Sequence, residues 1–116
     1  MSEIKRRDSN ARMSKSVSYG DLVFLAGQVG ESSSAGVQAQ TREVLAKIDA
    51  ALAEAGSDKS KLLSALIHLK SMDDFGAMNK VWETWVSPGN PPARTTVQAA
   101  LAHPDLVVEI TVVAAR

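Results

Sequence analysis

The chain of 116 residues and 12.3 kDa is the size of one ordinary domain, so a second independent core is not expected. Its hydrophobic share of 45% and charged share of 22% are typical of a globular protein and exclude a disordered or collagen-like chain. Thirteen basic and thirteen acidic side chains cancel, which leaves no net field to attract nucleic acid or an anionic membrane. We therefore expect one domain, residues 1–116, that binds neither nucleic acid nor membrane.

Cysteine is absent, which excludes disulfides, thiolate metal sites and cysteine nucleophiles. The sequence also lacks the phosphate loops, metal-binding histidine pairs and nucleophile motifs of common enzyme families. No stretch approaches the ~20 apolar residues of a membrane span, and the first twenty residues lack the apolar run of a signal peptide. These observations predict a cytoplasmic protein that uses no metal and no other cofactor.

The first half of the chain predicts a β-hairpin followed by a helix. Residues 21–27 form a short apolar run bounded by glycines, and residues 13–19 are the expected hairpin partner through a Gly20-Asp21 turn. From residue 37 to residue 55, apolar side chains recur at helical spacing with charged residues between them. Gly56 ends this amphipathic helix, because glycine readily adopts the left-handed conformation that closes a helix.

The next segment predicts a strand and a second helix. Residues 62–70 alternate as a strand, with Leu63 expected on the same side as Ala65. A helix then begins, with Asp73 or Asp74 as its cap. Its apolar stripe comprises Phe75, Met78, Trp82, Trp85 and Val86.

Two further extended runs complete the chain, residues 94–101 and 106–115, joined by a turn-like segment at residues 103–105. The interleaved order favours an α+β fold, in which both helices cover one face of a single mixed or antiparallel sheet. The last strand carries apolar side chains on both faces. We therefore expect the uncovered face of the sheet to meet another subunit.

Two charged residues occupy settings that need an explanation. Arg94 opens a strand directly after two prolines, and its planar guanidinium can hold a small carboxylate through two hydrogen bonds; a surface ion pair is the alternative. Glu109 lies among Val107, Val108 and Ile110, where a buried carboxylate must be paired, hydrogen-bonded or ready to exchange a proton. A solvated position on an edge strand is the alternative for Glu109.

Four other residues are weaker candidates. Gly27 ends a strand, where a missing side chain lets a ligand or another backbone approach closely. Asn79 lies on the second predicted helix, a position at which asparagine is usually a surface residue. His68 is more simply a core or edge residue than a metal ligand, and His103 is more simply a solvated turn residue.

Five sequence blocks resemble the RidA (YjgF) family in order and spacing along nearly the whole chain. They are LVFLAGQ at residues 22–28, QTREVL at 40–45, DFGAMN at 74–79, PARTTV at 92–97 and VEI at 108–110. The resemblance implies homotrimers with a chorismate-mutase-like barrel core, which bind small carboxylates in clefts between subunits. It also implies the hydrolysis of reactive 2-imino acids to 2-keto acids and ammonia.

By the same resemblance, Arg94 corresponds to the arginine that grips the substrate carboxylate, and Glu109 to the acid that positions or activates water. Asn79 falls on a further site position of the family. Three residues depart from the archetypal pattern: Met13 replaces a tyrosine, Ala26 a serine and Thr96 a cysteine. These departures bear on substrate choice and indicate a subfamily other than the archetype.

The resulting hypothesis is hydrolytic deamination of reactive 2-imino acids or enamines. Arg94 would orient the carboxylate and Glu109 would move protons, while Gly27, Thr96 and Met13 complete the binding site. The alternative is a module of the same fold that binds a keto acid for regulation without turning it over. A chaperone or translation-linked role through contact with protein or RNA is a third hypothesis, which the zero net charge disfavours.

Overall fold

A single sheet and two helices dominate residues 3–33 and 35–116, the part of the chain that the computed structural model describes. The strands are β1 (Ile4–Arg7), β2 (Ser16–Tyr19), β3 (Leu22–Leu25), β4 (Gln28–Val29), β5 (Leu62–Leu69), β6 (Ala93–Gln98) and β7 (Val108–Ala115). The helices are α1 (Gly36–Glu54) and α2 (Phe75–Trp85).

The sheet is mixed, with the strand order β1-β2-β3-β7-β5-β6 and with β4 also paired to β7. Only the pairing of β5 with β6 is parallel among the described strands, because α2 crosses over between these two strands. The other pairings are antiparallel. The mixed α+β sheet expected from the order of elements is confirmed, and β7 lies at its centre.

Both helices pack on one face of the sheet and enclose the hydrophobic core. Side chains from both helices join those of the central strands in one buried cluster. Its fully buried members include Val44, Ile48, Leu52, Ile67, Met78 and Ile110. The helical spacing of apolar residues between 37 and 55 predicts which α1 side chains enter the core. Gly56 ends α1 with a positive φ of 80°, which glycine tolerates.

Two strands were not expected from the sequence. β1 has the sequence IKRR and lies at an edge of the sheet, and β4 is only two residues long. Neither strand is long or apolar enough to give a period-two pattern, so only pairing with β2 and β7 reveals them. The hairpin of β2 and β3 is confirmed, with Gly20 and Asp21 forming its two-residue turn.

The expected face of Leu63 is wrong, and the expected cap of α2 is confirmed in position but not in its side-chain hydrogen bond. A register shift between Leu62 and Ser64 places an extra residue in β5, so Leu63 is exposed while Ala65 is buried. The turn before α2 is capped by Ser71, whose hydroxyl accepts a hydrogen bond from the backbone N–H of Asp73. Asp74 occupies the N-cap position of α2 without a side-chain capping bond.

The sheet face opposite the helices, here termed the open face, carries exposed apolar side chains on several strands. Exposed large side chains on these strands include Tyr19, Leu22, Phe24, Leu66 and Val97. An apolar sheet face of this kind is typical of a surface that another molecule covers. Within the described residues, neither helix has the length and apolar character needed to cross a bilayer.

Candidate functional site

Arg94 lies near the start of the edge strand β6 and is held by one face of α2. Its Nη1 donates a hydrogen bond of 2.8 Å to Oδ1 of Asn79. The guanidinium carbon lies 5.5 Å from the ring centroid of Trp82 and 5.8 Å from that of Phe75, within cation–π range. Phe75, Asn79 and Trp82 follow the helical spacing i, i+4, i+7, which puts all three on the same face of α2.

Among the described residues, no counter-charge neutralises this guanidinium. Across residues 3–33 and 35–116, neither of the ion pairs present involves Arg94. Asn79 and the two rings hold the cation without cancelling its charge. Because arginine has five N–H donors and Asn79 accepts from one, other N–H groups stay available for an anion.

Thr96 follows two residues after Arg94 on β6 and shares its face of the sheet. The register pairs Arg94 with Ala65 and Thr96 with Ile67, and both partners point into the helix-covered core. The hydroxyl oxygen of Thr96 is buried and has no hydrogen-bond partner within the described chain. A buried hydroxyl normally has a partner, so this oxygen is an exception that needs an explanation.

Glu109 lies on the open face, half-buried, and its carboxylate rests against Gly27. A side-chain carbon added at Gly27 would overlap Oε2 of Glu109 and would lie 3.1 Å from Oγ1 of Thr111. Gly27 therefore has to lack a side chain for Glu109 and Thr111 to occupy these positions. Sequence reasoning did not select Thr111, which shares the face of Glu109 two residues further along β7.

Arg94 and Glu109 point to opposite faces of the same sheet. Arg94 pairs with Ala65, which in turn pairs with Val112 on the helix-covered face. Glu109 is three residues from Val112 on β7, so strand alternation turns its side chain to the open face. One copy of the chain therefore does not bring these two predicted residues together.

The predicted residues divide into two half-sites. The arginine half-site contains Arg94, Thr96 and Asn79 at the helix-covered edge. The glutamate half-site contains Glu109 and Gly27 on the open face. Met13 lies in the segment between β1 and β2, where its carbonyl accepts a hydrogen bond from the backbone N–H of Asn10, and its side chain is 50% exposed. The structure shows no contact between Met13 and either half-site among the described residues.

The two histidines differ in their surroundings. His68 is paired with Glu109 across β5 and β7 on the open face, and its buried Nδ1 has no hydrogen-bond partner within the described residues. His103 is exposed in the turn before β7, with Nδ1 3.8 Å from a carboxylate oxygen of Asp105. In the described part of the chain, no three acidic or histidine side chains are grouped in a way that would hold a metal ion.

Two surface pockets lie outside both half-sites. A pocket of about 420 Å³ beside the end of β6 is lined by Lys70, Gln98 and the loop that follows β6. A second pocket of about 270 Å³ lies between α1 and α2, where Trp85 donates a hydrogen bond to Asp49 and the ammonium of Lys59 lies over the Trp85 ring. Neither pocket contains a residue of the half-sites, and Lys70 and Trp85 already hydrogen-bond to Pro104 and Asp49, so we assign the candidate site to the half-sites.

Sequence reasoning placed Phe75 and Trp82 in the apolar stripe of the second helix, which describes only part of their surroundings. Trp82 is 6% exposed and belongs to the core, whereas Phe75 is 37% exposed beside Arg94. The sequence did contain a signal for this cluster, because Phe75 lies four residues before Asn79 and Trp82 lies three residues after it. It became interpretable only once the register of β6 placed Arg94 under that face of α2.

Comparison with known proteins agrees with this architecture. Residues 3–116 match the family model described as endoribonuclease L-PSP. The chain is 46% identical over 112 residues to the RutC family protein YoaB of Escherichia coli, with 97% of each protein covered. The fold and these matches together show that the chain belongs to the YjgF/Rid family, the endoribonuclease L-PSP family.

Solved structures show the same fold. A YjgF-family protein from Neisseria meningitidis superimposes with a TM-score of 0.95 at 43% identity, covering 98% of this chain and 95% of that one. A Salmonella typhimurium protein described as a putative translation initiation inhibitor has a TM-score of 0.88 at 44% identity, with 97% of each chain covered. These relatives have been described with different activities, so the activity of this chain has to be argued from its own residues.

Proposed function

We propose that this protein hydrolyses reactive 2-imino acids to 2-keto acids and ammonia at sites formed between subunits of a homotrimer. The observation on which the proposal rests is the guanidinium of Arg94, held by Asn79 and two aromatic rings without a counter-charge. A fixed cation of this kind favours small anions that carry a planar carboxylate. Membership of the YjgF/Rid family supports the reaction class.

The separation of the two half-sites supports an intersubunit site. Arg94 and Glu109 lie on opposite faces of the sheet, so a site that uses both needs two copies of the chain. The open face supplies apolar side chains such as Phe24 and Leu66 for the contact between copies. If the arginine half-site of one subunit packed next to the glutamate half-site of its neighbour, the two half-sites would form one site.

The proposed chemistry needs few groups, because a protonated C=N bond is already electrophilic. Arg94 binds and orients the carboxylate of the 2-imino acid. Glu109 accepts a proton as water adds to the imine carbon and returns it to the nitrogen of the carbinolamine. The C–N bond then breaks to release ammonia as the C=O bond forms, and the hydroxyl proton passes to Glu109 and on to solvent. The unpartnered hydroxyl of Thr96 can hydrogen-bond to the substrate beside Arg94.

The deciding experiment generates 2-iminopropanoate or 2-iminobutanoate with an amino-acid oxidase or dehydratase and follows keto-acid release. Purified protein should accelerate this release, and Arg94→Ala should abolish the acceleration. Lys59→Ala is the control, because it removes another half-buried cation that contacts an aromatic ring but lies outside both half-sites. Equal rates for the wild type and Arg94→Ala would contradict the proposal.

A non-catalytic carboxylate-binding module is the second candidate. It is favoured by the fact that the arginine half-site is complete within one chain, whereas Glu109 faces away from it. In that case calorimetry would detect 2-oxobutanoate binding that depends on Arg94, while Glu109→Gln would leave every measured rate unchanged. Light scattering after size exclusion tests the assembly, since a monomer at micromolar concentration would contradict an intersubunit site.

A further inference from the structure

The guanidinium of Arg94 lies within cation–π range of both Phe75 and Trp82. The Trp82 ring is itself held in place, because it is 6% exposed and its centroid lies 5.4 Å from that of the Trp85 ring. The indole N–H of Trp85 in turn donates a hydrogen bond of 3.0 Å to the carboxylate of Asp49. Phe75 differs because 37% of it is exposed and it lies in the first turn of α2. One ring is therefore part of the core and the other borders the solvent.

We propose that Phe75 and Trp82 form an aromatic clamp that positions Arg94 for carboxylate binding, with Phe75 as its adjustable side. This inference rests on the proposed function, for which it names the residues that set carboxylate affinity. The clamp is distinct from the hydrogen bond to Asn79, which fixes one nitrogen of the guanidinium but not the orientation of its plane.

The physical argument is that aromatic contacts order a cation without using its hydrogen-bond donors. Fixing an arginine side chain lowers its conformational entropy. When the guanidinium is already ordered in the free protein, binding of the ligand does not have to lower that entropy again. A carboxylate partner would order the same side chain but would occupy its N–H groups and cancel its charge. Aromatic rings leave both the charge and the N–H edge for the ligand.

The clamp acts on binding and not on proton transfer, which gives it a specific kinetic signature. Phe75→Leu keeps an apolar side chain and removes the ring, so we expect KM and the dissociation constant of 2-oxobutanoate to rise roughly two- to fivefold. The value of kcat should stay within about twofold, because Glu109 is untouched. Phe75→Tyr keeps the ring and should behave like the wild type.

A fluorinated phenylalanine series at position 75 separates the electrostatic effect of the ring from its packing. Each added fluorine weakens attraction of the ring for a cation at nearly constant shape, so 2-oxobutanoate affinity should fall stepwise from phenylalanine to pentafluorophenylalanine. Met72→Leu is the matched control, since Met72 is a similarly exposed apolar residue at 41% in the turn before α2. It should leave affinity unchanged.

The outcomes distinguish this inference from the proposed function. Affinity that stays level or rises along the fluorinated series, or a Phe75→Leu variant with lower kcat at unchanged KM, would overturn the clamp. If the wild type binds 2-oxobutanoate but turns over no imine, the deaminase proposal fails while the binding series still decides the clamp. If Arg94-dependent carboxylate binding is absent altogether, both proposals fail.

Discussion

The two faces of the sheet place charged residues in contrasting ways. On the helix-covered face, Arg94 is enclosed by α2 and has partners within its own chain. On the open face, the Glu109 carboxylate rests on the backbone of Gly27, and within the described residues no basic group pairs with it. The arginine half-site thus has its partners within a single chain, whereas the glutamate half-site faces the open side of the sheet.

This difference shows how one small sheet can carry a cation and a carboxylate without bringing them into contact. A carboxylate facing Arg94 within the same chain would form an ion pair and remove the positive charge that a substrate needs. Separation by the sheet keeps the two charges apart within one chain. Each face can then be changed by mutation without directly disturbing the other.

Replacing the acid on the open face should have the largest effect on rate. Glu109→Gln keeps the side-chain size and removes the proton acceptor, so kcat should fall roughly 10²–10⁴-fold. Binding of 2-oxobutanoate should persist, because the arginine half-site lies on the other face. Rate measurements paired with calorimetry test this, and joint loss of binding and rate would contradict the independence of the faces.

A side chain at Gly27 should disturb the same half-site less severely. Gly27→Ala adds a carbon that overlaps Oε2 of Glu109, so the carboxylate has to move and kcat should fall roughly ten- to a hundredfold. Gly76→Ala is the matched control, because a carbon there meets open space within α2. That control should keep full activity and gain about 0.5–1 kcal/mol in the free energy of unfolding. Unchanged kcat in Gly27→Ala would show that the contact has no role in turnover.

Mixing two inactive variants tests whether the faces of different subunits meet. Co-expressed Arg94→Ala and Glu109→Gln chains should recover activity, because some interfaces then join an intact Arg94 to an intact Glu109. Random assembly would restore about one site in four. Recovery no higher than that of either variant alone would place both residues of a working site in the same chain.

The smallest expected effect concerns the open face as a contact surface. Leu66 is 38% exposed in the single chain, yet Leu66→Ala should lower the free energy of unfolding by about 1–2 kcal/mol if another subunit covers it. The wild-type Tm should then rise with protein concentration, as linkage to assembly requires. Glu83→Ala on the exposed side of α2 is the control. A Tm independent of concentration and an unaffected Leu66→Ala variant would contradict a covered open face.

Residues with strong local patterns were predictable, and those defined by long-range pairing were not. The periodicity of residues 37–55 predicts α1, and Gly20-Asp21 predicts the hairpin turn. The two-residue strand β4 and the displaced Leu63 depend on pairing with β7, which leaves no local signal. The cap from Ser71 was missed because two aspartates nearer α2 matched the same signature.

The candidate site follows the same division. Motif spacing selected Arg94 and Glu109, and family membership is confirmed by the match over residues 3–116. The partnership of Asn79, Phe75 and Trp82 with Arg94 required the register of β5 against β6, because that pairing sets which residues of β6 meet α2. The contact of Gly27 with Glu109 and Thr111 likewise depends on strands distant in sequence.

The sequence alone predicted the α+β class and the principal helices and strands. It also indicated the residue types, an arginine and a glutamate, that the proposed carboxylate recognition and proton transfer would use. These are properties of neighbouring residues, and local periodicity and side-chain chemistry are sufficient to define them. Only the tertiary structure decided that the guanidinium and the carboxylate point to opposite faces of one sheet. The physical reason is that strand alternation assigns a face to each residue only after the register between distant strands has been set.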